Sequence, residues 1–210
     1  MIETLYIGSG DVASLLSDKN SEGFKKLLQR FVSDEKPYYN AKNSPIDALR
    51  TGAILEDQYL KILPDCYYSQ YIVVSEEMNV FRASLDFAKL ESGKVVDFDE
   101  LKTCSFDDFL QLQKIGGNYQ EFLKKTYKKY YNQVQEQLYC ANLELANLVF
   151  LVVYSYDDLE NYSREIKENE YVKFRIKRDL DVINSITERG KLFQMIKDFY
   201  DETNNTISEA

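Results

Sequence analysis

The run Leu145-Ala146-Asn147-Leu148-Val149-Phe150-Leu151-Val152-Val153-Tyr154 constrains the fold more than any other stretch of the chain. It falls far short of the about 20 residues that a membrane-spanning helix requires. From Leu148 to Tyr154 it is nearly continuous and rich in β-branched residues, which reads as a central strand covered on both faces. Such a strand needs layers packed on either side, and the flanking patterns supply them. Apolar residues recur at helical spacing from Asp11 to about Ser33, interrupted near Asn20, and again from Ile46 to Leu63, where Pro64 ends the pattern. A polar loop with Pro37 and Pro45 lies between the two. The pattern then changes to β-branched and aromatic runs at Tyr71–Val74, Val80–Phe87 and Val95–Leu101, separated by turn signals, which predicts a three-stranded meander. A short helix over Phe106–Gln113, a long charged helix over Gln120–Asn142, a strand over Tyr171–Ile176 and a closing helix over Asp179–Tyr200 complete the order. The expectation is an α/β (α+β) chain whose mixed central sheet is flanked by helices. One domain over residues 1–201 and a frayed tail over 202–210 follow from the lack of repeats or linkers.

Composition excludes whole classes of chemistry. The 210 residues contain no histidine, so no Ser-His-Asp triad, HExxH zinc site or histidine base can operate here. Cys66, Cys104 and Cys140 are too widely spaced for a CxxC metal pair and read as reduced thiols. The start, MIETLYIGSGD, lacks the basic and apolar regions of a signal peptide, and the expected location is cytoplasmic. A net charge of −9 is unusual for a nucleic-acid binder, but carboxylates that hold a divalent ion make a site acidic before the ion arrives.

Strand alternation points to where such a site would form. Glu100 and Lys102 fall on one face of the third strand of the meander, with Leu101 on the other. If the hairpin brings Asp86 beside Glu100, two carboxylates and an ammonium converge. With a backbone carbonyl they offer the hard oxygen ligands that Mg2+ or Mn2+ prefers. The lysine can then orient a water, favour its deprotonation or stabilise charge on a phosphate. Acidic-x-Lys triplets also occur at Asp34-Glu35-Lys36 and Glu165-Ile166-Lys167, but without an acidic partner one hairpin upstream. Lys124, Lys125, Lys128 and Lys129 recur at four-residue spacing, as a solvated face or as phosphate contacts.

These residues, taken together, resemble the lambda-exonuclease or YqaJ-type branch of the PD-(D/E)XK nucleases. The resemblance rests on Asp86 with Glu100-Leu101-Lys102, on Gly52-Ala53-Ile54-Leu55-Glu56, and on Ile115-Gly116-Gly117 followed by Tyr130-Tyr131-Asn132-Gln133-Val134-Gln135. Ile7-Gly8-Ser9-Gly10-Asp11-Val12 is similar to the start of that family's opening helix. Leu85-Asp86-Phe87 stands where the family usually has Pro-Asp-Gly, and Met1 to Tyr6 holds no basic residue. The resemblance implies a phage or prophage 5′→3′ exonuclease acting on double-stranded DNA ends. It places Mg2+ on Asp86, Glu100 and the Leu101 carbonyl, with Glu56 in support, Lys102 activating water and Gln133 positioning it. It further implies DNA contact by Tyr130 and the four lysines, a ring-like homotrimer, and a single-strand annealing protein as partner. An endonuclease or nickase of the same fold, and an inert acidic binding protein, are the alternatives.

Overall fold

The structure is a computed structural model that describes residues 6–33, 47–154 and 165–208. The loop with Pro37 and Pro45 and the triplet Asp34-Glu35-Lys36 lie outside the described residues. A 3-10 turn at Ser9–Asp11 leads into α1 (Val12–Leu15), and α2 follows at Glu22–Val32. The expected interruption near Asn20 is therefore real. The Ser21 hydroxyl caps α2 by accepting from the Phe24 N–H at 3.2 Å, and Phe24, Leu27 and Phe31 form its buried stripe. Helix α3 spans Asp47–Leu60. The meander follows as β2 (Tyr67–Val74), β3 (Phe81–Glu91) and β4 (Lys94–Ser105), antiparallel throughout. Helix α4 (Phe106–Leu112) connects to β5 (Leu145–Val153) through α5 (Tyr119–Thr126) and α6 (Lys128–Ala141). Strand β6 (Tyr171–Lys177) and helix α7 (Leu180–Ser208) close the chain.

Three details depart from the expected pattern. The long helix over Gln120–Asn142 is two helices, because Tyr127 leaves helical geometry (φ −112°, ψ 38°) and packs its ring 4.9 Å from that of Phe150. Burial of an aromatic ring on the central strand outweighs local helical continuity there. Ile7 and Gly8, expected at a helix start, form a two-residue strand, β1, parallel to Phe81 and Arg82 of β3. Helix α7 runs to Ser208, beyond the expected end at Tyr200.

Strand β5 is central, as its apolar run requires: it lies parallel to β4 and antiparallel to β6, with Ala146 to Val152 buried. The larger core forms on the sheet face that carries α1, α2, α6 and α7, and includes Phe24, Phe81, Leu138, Phe150 and Phe193. A smaller one on the other face joins Leu55 and Tyr59 of α3 to Phe87, Leu101 and Leu151. Among the described residues no helix is long and apolar enough to cross a membrane.

Helix α7 approaches the sheet at Gly190, where an added β-carbon would collide with the ring of Phe81, itself fully buried. Alanine is the better helix former by about 1 kcal/mol. The collision is expected to outweigh that gain, so that Gly190→Ala destabilises the fold by about 1–3 kcal/mol, measured as a lower urea midpoint at unchanged slope.

Candidate active site

The site follows from a fork in the sheet. Along one edge β3 pairs with β2; along the other it pairs with β1 only at Phe81 and Arg82 and with β4 only from Phe87 onward. Ala83 to Asp86 thus have no strand partner on that edge, and backbone groups left unpaired in a buried place need other partners. Side chains provide them. Asp86 Oδ2 accepts from the Leu101 N–H at 2.9 Å. Gln137 of α6 reaches in from the large-core face, its Nε2 donating to the Ser84 carbonyl at 3.1 Å and to Glu100 Oε2 at 2.6 Å.

Glu100 is fully buried at the centre. Its Oε1 accepts from Lys102 Nζ and from Gln133 Nε2, both at 2.5 Å, so one charged oxygen serves two donors. The Lys102 ammonium also lies 5.5 Å from the centre of the Tyr130 ring, within cation–π range. Helix α3 comes to the fork from the opposite face. It is moored by the Tyr59 hydroxyl, which donates to Asp99 Oδ2 at 2.8 Å. Asp99, fully buried, also accepts from Lys173 at 2.7 Å and Asn147 at 2.7 Å. Three residues before Tyr59 stands Glu56, whose Oε2 accepts from Gln70 Nε2 at 3.1 Å.

Charge is out of balance in this cluster. Burial, reinforced by the negative charge of Glu100, drives the Asp86 carboxyl well above the ordinary carboxylate range, with Lys102 pulling the other way. Burial likewise raises Glu56, with Lys102 opposing and Glu100 adding to the rise. For Lys102 burial disfavours the ammonium, but Glu100 and Asp86 overcome it and hold the amine above its usual range. Three acids thus share one ammonium. A hard divalent cation would supply the missing charge, and carboxylate oxygens with an adjacent backbone carbonyl suit it. Among the described residues no three such groups already stand at coordinating distance. An ion would compete with Lys102 and Gln133 for Glu100 Oε1.

The structure thus brings Glu56, Asp86, Glu100, Lys102 and Gln133 to one place, with Leu101 engaged through its N–H. The four lysines do not share one helix. The break at Tyr127 puts Lys124 and Lys125 on α5 and Lys128 and Lys129 on α6. Lys124 pairs with Asp179 at 2.8 Å and, with Lys128, lines a cavity bounded by Leu16, Asn132, Asp181, Val182 and Ser185. Lys125 and Lys129 are exposed, and Lys129 lies one turn before Gln133 on the same helix face. Gln135 turns away from the fork: its amide donates to the Lys177 carbonyl at 3.0 Å and its oxygen accepts from the Asp179 N–H at 2.7 Å. Gln137, which the motif reading passed over, takes the inward place, and its four-residue spacing from Gln133 is the signal that finds it. The three cysteines are free, with Cys140 buried and the others half-buried. Burial pushes the Cys104 thiol up to about 12, which removes it as a nucleophile at neutral pH.

No protein-family model matches the chain, and no curated protein matches it. Among solved structures it resembles the alkaline exonuclease LHK-Exo from Laribacter hongkongensis, with a TM-score of 0.62 at 16% identity over 97% of this chain and 94% of that one. LHK-Exo in complex with dAMP gives a TM-score of 0.64 at 16% identity over the same shares. A phage-related exonuclease from Haemophilus somnus 129PT gives 0.62 at 16% identity over 98% of both chains. At these identities the likeness establishes the fold, and the chain has the mixed-sheet architecture of these exonucleases.

Proposed function

We propose that the chain is a divalent-metal-dependent deoxyribonuclease that removes nucleotides 5′→3′ from double-stranded DNA ends in phage-type recombination. The observation that carries this reading is the fork: an Asp from β3, a Glu and a Lys from β4, a Glu from α3 and two amides from α6 converge where the sheet splays. The shared fold with two exonucleases supports it, as does the nucleotide dAMP held by LHK-Exo, since a nucleoside monophosphate is the product class of end-wise cleavage. Asp86, Glu100 and the Leu101 carbonyl would hold Mg2+, or Mn2+, with Glu56 in support. When bound, such an ion polarises the phosphate and offsets the charge that develops on it.

The protein's own groups divide the remaining work. Lys102, kept protonated by Glu100 and Asp86, serves as a cation for the phosphate and an orienting donor for the attacking water. Gln133 can accept from that water or donate to the phosphate, because an amide does both. Exposed Lys125 and Lys129, with Tyr130, lie near enough in sequence to the α6 face for contact with the DNA backbone, whose recognition needs charge without base-specific geometry. The trimer and the annealing partner rest on the family resemblance alone.

The test is digestion of a linear duplex labelled at one 5′ end, with Mg2+ and with EDTA, beside a covalently closed circle. Metal-dependent release of labelled nucleotide from the linear substrate alone is the expected result. Cutting of the circle would replace the exonuclease with an endonuclease, and release from the 3′ end first would reverse the polarity.

A further inference from the structure

Gln70 has a conformation that its own strand does not require. Three non-glycine residues among those described have positive φ: Gln70, Ser92 and Asn142. Ser92 sits in the β3–β4 turn beside Gly93, and Asn142 ends α6, both places where a left-handed residue is ordinary. Gln70, at φ +53°, lies inside β2, where a left-handed residue with a long side chain is strained. The β2–β3 ladder pairs Ser69 with Phe87 and Tyr71 with Leu85, and passes over Gln70 and Asp86 between them. The alternation of β3 resets at the same place: Leu85 and Ala88 both pack in the larger core, while Phe87 packs in the smaller one.

The kink delivers a carboxamide held at both ends. Its oxygen accepts from the Ser84 hydroxyl of β3 at 3.0 Å, which leaves the nitrogen to donate to Glu56 Oε2 at 3.1 Å. A neutral amide orients a carboxylate without cancelling its charge, which a lysine at the same place would do. We propose that Gln70 is a positioning residue of the metal site, strained so that Ser84 and the amide together fix the rotamer of Glu56 beside Asp86 and Glu100. The inference rests on the metal-dependent reading of the fork.

Two variants and two readouts separate it from a plain strand feature. Gln70→Gly removes the amide and relieves the left-handed strain; Gln70→Asn tolerates the left-handed backbone but is one methylene too short to bridge Ser84 and Glu56. Both are tested on the full chain, by calorimetric titration with Mn2+ and by the Mg2+ concentration that half-saturates cleavage. The expected result is Mn2+ binding weakened about 10-fold or more in each variant, the scale usual for groups that orient a metal ligand. The Mg2+ requirement should rise in step, while cleavage at saturating Mg2+ stays near that of the parent. Gln70→Gly should melt no lower than the parent. Unchanged Mn2+ affinity in both variants would overturn the role of Gln70 and leave the metal site standing. Failure of the parent itself to bind Mn2+ would overturn the metal reading and this inference with it.

Discussion

Glu100→Gln is expected to reduce metal-dependent cleavage of a linear duplex by about 10³-fold or more, since preorganised electrostatic groups at a reacting centre are commonly worth about 10²–10³ each and Glu100 organises several. It is fully buried and takes hydrogen bonds from Lys102, Gln133 and Gln137. The amide replaces one acceptor oxygen with a donor, so at least one of these partners meets an N–H, and the charge that would hold the ion is gone. Lys102→Met makes the complementary case. It is expected to cost a comparable factor in cleavage, but it leaves Asp86, Glu100 and Glu56 without their ammonium. The metal-free protein should therefore melt lower than its parent, and Mg2+ should raise its melting temperature by more than it raises the parent's, because the ion then supplies charge that nothing else does. In Glu100→Gln the shift caused by Mg2+ should shrink. Cleavage by a folded Glu100→Gln within tenfold of the parent would sink the assignment, and equal Mg2+ shifts in all three proteins would show that the fork does not bind the ion.

How much of this could be read from the chain depended on the range of the interactions involved. Asp86 lies just beyond the paired part of the hairpin and reaches the site by accepting from the Leu101 N–H, whereas period-2 alternation on β4 placed Glu100 and Lys102 on one face, a local consequence of strand geometry. The central position of β5 was legible for the same reason: a strand covered on both faces has no polar residues to spare. What escaped was set by distant contacts. Tyr127 breaks the helix because Phe150, far along the chain, offers its ring a packing surface. Ile7 and Gly8 pair with β3 over too few residues to leave any period. Gln70 carries no signal at all, since nothing in Tyr68-Ser69-Gln70-Tyr71 marks a left-handed residue; the strain is held by Glu56 and Ser84, both 14 residues away. The lysine spacing assumed one helix, and a single aromatic residue divided it.

Glu136, one turn from Cys140 on α6 and fully buried, should make the protein lose stability as pH rises through neutrality. Burial pushes its carboxyl up to about 8, with the nearby negative charges of Asp11 and Glu100 adding to the rise and the Cys140 thiol, which donates to Oε1 at 3.1 Å, opposing it. Its other oxygen, Oε2, has no hydrogen-bond partner among the described residues, so an ionised carboxylate there would lack the compensation that a buried charge needs. In the unfolded chain the same carboxyl ionises near its ordinary 4.5. Between 4.5 and 8 the folded state therefore binds the extra proton, and unfolding releases it. Stability contributed by this group is complete below about 4.5, falls by up to about 1.4 kcal/mol per pH unit above that, and levels off beyond 8. Glu136→Gln removes the titration. Any constant packing difference between acid and amide cancels when the variant and its parent are compared across pH, so the slope isolates the group. In urea titrations with EDTA present, the stability of Glu136→Gln relative to the parent is expected to rise by about 3 kcal/mol from pH 5 to pH 8. Asp86 and Glu56 titrate in both proteins and drop out of the difference. Parallel stability curves for the two proteins would mean that Glu136 is ionised in the fold, and that its burial is compensated by a partner beyond Cys140.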